Sequence, residues 1–262
     1  MILDKIVAAT KTRIERAKEL VPHDKMMELA LKSGVMTGFP FEKALRKQDI
    51  SFICEVKKAS PSKGILVDDF PYLLIARGYE RAGADAISVL TEPKYFKGGN
   101  NYLAEIKNEV SIPLLRKDFI IDSYQLYETK VLGASAVLLI CALLETETLK
   151  KFISICNYLG LSVLTEAHDE KEIESALAAD AGIIGVNNRN LRDFSVDIST
   201  SVRLRKYVPE DVLFIAESGI RTAEDVERMR EAGVNGVLIG EALMQSQNKK
   251  GMLEYLRGKV YG

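Results

Sequence analysis

No apolar run in this chain approaches the ~18 residues a membrane-crossing helix needs, which excludes a helical membrane protein. From Met1 to Leu20, charged and apolar side chains alternate, without the apolar block or small-residue cleavage site of a signal peptide. An excess of one charge is missing too. Lys and Arg total 36 against 37 Asp and Glu, a formal charge of −1, so there is neither a nucleic-acid footprint nor an acidic tail. Cysteine is scarce and odd in number. Cys54, Cys141 and Cys156 form no CxxC pair, which excludes a disulfide framework and reads as reduced, buried thiols in a cytoplasmic protein. The two histidines, His23 and His168, have no ligand spacing between them, so both read as structural or surface residues and no metal site is expected. No GxGxxG occurs, and a dinucleotide-binding doubly wound sheet would normally carry one.

What is present is a repeated pattern. Phe52 to Lys57 is a short apolar run carrying Glu55 and Lys57 on one strand face, with Phe52, Cys54 and Val56 on the other. Similar runs end on Lys117, Glu166, Asn187 and Glu217. Each polar terminus is in phase with an apolar neighbour, such as Leu115, Leu164 or Ile215, so the group points into one interior. Small-residue strand starts at Gly83, Gly133, Ala179 and Gly233 recur roughly every 50 residues, two βα units of ~25 each. The spacing predicts strands over 52–57, 85–90, 112–117, 135–140, 161–166, 182–187, 212–217 and 235–239. Helices are predicted over 70–82, 100–109, 122–132, 145–159, 169–178, 197–207, 222–232 and 241–257, with a capping box at Thr222 and Asp225. Eight such units make a (β/α)8 TIM barrel, expected as a single domain over residues 1–262. Residues 1–47 are expected as a helical extension packed on it: a stripe from Ile2 to Leu20, a helix over 25–33, and a loop over 34–40.

Active sites of this fold lie at the C-terminal ends of the strands. Glu55, Lys57, Lys117, Glu166, Asn187 and Glu217 therefore belong to one pocket. Carboxylates beside lysines favour the ammonium form and oppose its desolvation. A charged lysine protonates a carbonyl oxygen or a leaving hydroxyl. A buried one also serves as a Schiff-base nucleophile, and the residues leave both uses of Lys117 open. The loops after strands seven and eight, with Ser218-Gly219 and Gly240-Glu241, are where such barrels frequently bind phosphate. Ser60, in the loop after strand one, is placed to cap an anion. Phe96 and Phe119, with Leu138, would wall a slot for a flat ring.

The runs Glu55-Val56-Lys57-Lys58-Ala59-Ser60-Pro61-Ser62, Leu115-Arg116-Lys117-Asp118-Phe119, Thr165-Glu166, Val186-Asn187-Asn188-Arg189, Ala216-Glu217-Ser218-Gly219-Ile220 and Leu238-Ile239-Gly240 resemble indole-3-glycerol phosphate synthase. Thr91-Glu92, Tyr95-Phe96 and Gly98 fit the family's loop after strand two. The resemblance implies a cofactor-free and metal-free carboxy-lyase of tryptophan biosynthesis. Its reaction converts 1-(2-carboxyphenylamino)-1-deoxyribulose 5-phosphate to indole-3-glycerol phosphate, releasing carbon dioxide and water. It implies Lys117 as the general acid for ring closure, Glu166 and Lys57 in later proton transfers, and Glu55 as their charge balance. Asn187 and Glu217 would hold sugar hydroxyls and Arg189 the rim, while Ser60, Ser218, Gly219, Gly240 and Lys57 meet phosphate and substrate. Glu241 stands where some members carry serine, so only its backbone N–H is expected near phosphate. The partner implied is a small sugar phosphate, with no nucleic acid or membrane, and the chain a monomer or weak homo-oligomer not fused to the preceding isomerase. Two rivals remain. A phosphoribosylanthranilate isomerase-like barrel would need a Cys and Asp pair where Glu55 and Lys57 stand. A sensor or scaffold without turnover would not need all four of Glu55, Lys57, Lys117 and Glu166.

Overall fold

Alternation along the strands sorts the apolar residues into two cores. Ile53, Leu115, Leu138, Leu164, Ile215 and Leu238 form one buried cluster, while Phe52, Cys54, Val137, Val163, Phe214 and Val237 belong to another. The first fills a barrel and the second lies between barrel and helices. This computed structural model describes residues 2–191 and 193–258. The strands are β1 (Ser51–Val56), β2 (Ala86–Leu90), β3 (Leu114–Lys117), β4 (Ala136–Ile140), β5 (Ser162–Ala167), β6 (Ile183–Asn187), β7 (Leu213–Glu217) and β8 (Gly236–Ile239). Each pairs in parallel with its chain neighbours, and β8 closes on β1 with Ser51 opposite Gly236 and Cys54 opposite Ile239. The fold is the expected (β/α)8 barrel, with spans agreeing to within about two residues.

The helices are α1 (Ile2–Leu20), α2 (His23–Lys32), α3 (Pro40–Leu45), α4 (Tyr72–Arg81), α5 (Asn100–Lys107), α6 (Ser123–Val131), α7 (Thr146–Leu159), α8 (Glu170–Ala178), α9 (Ser199–Leu204), α10 (Ala223–Glu231), α11 (Glu241–Gln245) and α12 (Lys249–Leu256). The capping box at the start of α10 forms as read. Asp225 N–H donates to Thr222 Oγ1 at 3.1 Å and Thr222 N–H donates to Asp225 Oδ2 at 2.9 Å.

Four details depart from the sequence reading. The helix expected over 241–257 is broken in two, because Asn248 caps a new start by accepting from Gly251 N–H at 2.9 Å. The helix expected over 197–207 ends at Leu204 and tightens into a 3₁₀ turn, Arg205–Tyr207. The loop after β1 contains a two-residue hairpin, Ala59–Ser60 against Gly64–Ile65, and Lys57 lies just past the strand. Finally, α3 was not foreseen. Pro40 at its first position presets the backbone, and Phe41 and Leu45, one turn apart, join the inner cluster. Ser51, first in β1, donates its hydroxyl to Ala44 O at 3.2 Å, so α3 closes the N-terminal end of the barrel.

The extension is tied at the other end as well. From α1, Arg13 donates to Asp118 Oδ1 at 2.7 Å and to Thr91 O at 3.3 Å. Because Phe41 is fully buried in the inner cluster, Phe41→Ala is expected to cost about 3–5 kcal/mol. Urea unfolding checks this. A change under about 1 kcal/mol would mean that α3 is not part of the core.

Candidate active site

The inward positions at the C-terminal ends of β1, β3, β5 and β7 converge on one ammonium group. Lys117 Nζ lies 2.6 Å from Glu217 Oε2, 3.8 Å from Glu55 Oε1 and 3.9 Å from Glu166 Oε2. Lys57 donates to the other oxygen of Glu55. Asn187, at the end of β6, donates to Glu166 Oε1 at 3.2 Å and accepts from Arg189 N–H at 3.0 Å. Glu55, Glu166 and Glu217 are only 4%, 3% and 0% exposed, so their charges survive only through these contacts. Burial works to lower the Lys117 pKa, yet Glu217, Glu55 and Glu166 outweigh it and hold the ammonium above its usual value. Burial likewise raises Glu55, but Lys57 and Lys117 bring it below the ordinary carboxylate range. Glu217 goes the other way. Burial lifts it to about 7, against the pull of Lys117 and with the help of Glu166.

Two glycines make room for this cluster. A Cβ on Gly185 would stand 2.2 Å from Glu217 Oε1, and one on Gly240 would stand 2.3 Å from Glu55 Oε2. Gly240 therefore accommodates the Glu55–Lys57 pair, beyond any approach to phosphate.

Around the cluster the mouth is built in layers. Phe96 and Phe119 face each other with ring centroids 5.9 Å apart, above Leu138. The Phe96 loop is shaped by Glu92, whose carboxylate accepts from the N–H groups of Lys94, Tyr95 and Phe96 at 2.7–2.9 Å. Behind Lys117, the buried Arg116 donates to Thr91, Thr129, Glu128 and Asp118, pinning the end of β3. Ser60, Arg189, Ser218, Gly219, Gly240 and Glu241 line the same pocket, joined by Ile2, Leu3 and Ile6 of α1. Ser218 and Gly219 both adopt positive φ, 66° and 88°, which turns the loop after β7 sharply over the mouth. Glu241 is not left to repel an anion. Its carboxylate stands 3.4 Å from Arg221, 3.8 Å from Arg189 and 3.9 Å from Lys63.

The family model for indole-3-glycerol phosphate synthase matches residues 3–256. The chain belongs to that family. The indole-3-glycerol phosphate synthase of Ruminiclostridium cellulolyticum is 55% identical over 260 residues, covering 99% of this chain and 100% of that protein. That of Endomicrobium trichonymphae is 57% identical over 248 residues, covering 95% and 96%. Among solved structures, a thiamine phosphate pyrophosphorylase from Pyrococcus furiosus superposes with a TM-score of 0.60 at 16% identity, over 82% of this chain and 96% of that one, a likeness of fold.

Within this synthase-family barrel the expected site residues gather at one mouth, except Glu217. It is fully buried, with its Oε2 accepting from Lys117 Nζ at 2.6 Å. Arg221, Lys63 and the α1 residues were missed. Arg221 follows Gly219 by two in the same loop, but Lys63 meets Glu241 only through the hairpin, and α1 reaches the mouth only through the tertiary packing of the extension. His168 was read as structural or surface. It is largely buried, with Nε2 3.4 Å from Glu166 Oε1. His168 lies just past the end of β5, where strand parity no longer fixes which way its side chain points.

A carboxyl raised on folding contributes stability fully below its unfolded value, near 4.5, and that contribution fades as pH rises through about 7. Between about pH 5 and 8 the native melting temperature should fall more steeply than that of Glu217→Gln. Parallel pH profiles for the two proteins would exclude Glu217 as the titrating group.

Proposed function

We propose that this barrel closes the indole ring of 1-(2-carboxyphenylamino)-1-deoxyribulose 5-phosphate, a carboxy-lyase reaction that yields indole-3-glycerol phosphate, carbon dioxide and water. The observation that carries the division of labour is the single ammonium of Lys117, buried among three carboxylates at the pocket floor. Held charged, Lys117 donates its proton to the ribulose carbonyl oxygen as the aryl carbon attacks. Attack at that carbon interrupts aromaticity, and loss of the carboxylate as carbon dioxide follows. Glu166 accepts a proton in the later steps and Lys57, charge-balanced by Glu55, assists loss of the hydroxyl as water. Glu217 holds Lys117 in place.

The same reading assigns the ring to the slot of Phe96, Phe119 and Leu138, and the phosphate to Ser60, Ser218, Gly219, Gly240 and Arg189. Lys57 faces both ends, Asn187 meets a sugar hydroxyl while holding Glu166, and Glu241 keeps its backbone toward the phosphate while its carboxylate holds Arg189 and Arg221. The residues at 1–47 belong to one barrel unit with the rest. The protein works in the cytoplasm as a monomer or weak homo-oligomer on a small sugar phosphate, without nucleic acid or a membrane. Among the described residues no helix is long and apolar enough to cross one.

Lys117→Ala is expected to lower kcat by ~10²–10⁴ while a substrate analogue still binds. The fluorescence of newly formed indoleglycerol phosphate reports the rate directly. Near-native turnover would remove Lys117 from the chemistry. Glu166→Gln should likewise lower kcat far more than it changes KM.

A further inference from the structure

One buried polar atom outside the roles given above faces the acid/base cluster without a hydrogen bond. His168 Nε2 has no such partner among the described residues, yet it lies 3.4 Å from Glu166 Oε1. The other ring nitrogen is committed. Nδ1 stands 3.0 Å from Glu172 Oε2, and the His168 backbone N–H donates to that same oxygen at 2.8 Å. A carboxylate oxygen gripped this way is an acceptor, so Nδ1 carries hydrogen. A neutral ring would then turn the Nε2 lone pair toward a carboxylate oxygen, two acceptors face to face in a buried site. A proton between them converts that repulsion into a hydrogen bond.

We propose that His168 is a positioning residue for Glu166, holding Oε1 through a shared proton while Glu172 anchors the ring from behind. This rests on the reading of Glu166 as a group that moves protons. With Oε1 occupied by His168 and by Asn187, the free oxygen is Oε2, the one turned toward Lys117. The charges facing the ring come from three elements: Glu166 on β5, Glu172 on α8 and Glu217 on β7. The nearby Cys141 thiol, pushed up to about 12 by burial, stays neutral. Burial opposes a charged imidazole, but the Glu172 hydrogen bond and the surrounding carboxylates outweigh it and raise the His168 pKa. The grip is thus strongest at lower pH and weakens as pH rises through the His168 value.

Because the chain has two histidines, ¹⁵N-histidine labelling resolves each imidazole by NMR. In Glu166→Gln the His168 titration midpoint should fall by about 1–3 pH units, with His23 unmoved. An unshifted His168 midpoint overturns the proposal, and this measurement stands even if a His168 variant does not fold. His168→Asn keeps a donor near Glu172 but removes Nε2. It should lower kcat on the order of 10²-fold with little change in KM, alter the pH profile of kcat, and add no further loss to Glu166→Gln. A native kcat and pH profile in His168→Asn, with Glu166→Gln inactive, overturns the positioning role while the Glu166 reading stands. Full turnover in Glu166→Gln removes both.

Discussion

The site depends on one buried ammonium. Lys117 is surrounded by Glu55, Glu166 and Glu217, each nearly inaccessible to water. With Lys57 the cluster holds three carboxylates and two ammoniums, one negative charge in excess. Burial, helped by Glu166 and Glu55 and opposed by Lys117, lifts the Glu217 carboxyl to about 7. The crowding of these carboxylates is met by glycine at 185 and 240, where a Cβ would collide with a carboxylate oxygen. A charge cluster this dense is tolerable only on rigid strands, where every carboxylate is held at a set distance from its cation.

Rigidity comes from layers outside the pocket. On the far side of β3, Arg116 and Asp118 are joined to Thr91, Glu128 and Arg13, so the strand that presents Lys117 is tied to both the barrel wall and the extension. Burial raises the Asp118 carboxyl, but Arg13 and Arg116 hold it below its usual value. Glu92 performs a comparable service for Phe96 by gathering three amide N–H groups into one turn. Arg116, Glu128 and Glu92 hydrogen-bond to other parts of the protein rather than lining the pocket. They set where the reactive ones stand.

The pocket divides its chemistry along its length. Acid and base groups lie at the floor, aromatic walls above them, and the sharply turned backbone at Ser218 and Gly219 with Arg189 lies at the rim. Such a gradient orients a molecule that is flat at one end and anionic at the other. The Glu172–His168–Glu166 chain extends the floor outward through the start of α8, linking the site to a helix that a strand-by-strand reading treats as packing.

Periodicity and spacing were enough for the barrel, its strand spans and most of the mouth, because parity is a property of the local backbone. Ile53 and Glu55, or Ile215 and Glu217, must share a face wherever the strand goes. The motifs likewise carried the family. The sequence was silent where a contact joins segments with no fixed phase between them. Phe41 and Leu45 plug the barrel, and Arg13 reaches Asp118 across 105 positions. Glu217 faces inward as its parity requires, but only the closed barrel brings it within 2.6 Å of Lys117. Glu241 finds three cations drawn from three loops. Local alternation determined which way each side chain points; closure of the ring decided which of them meet, because distance across a barrel is set by all eight strands at once.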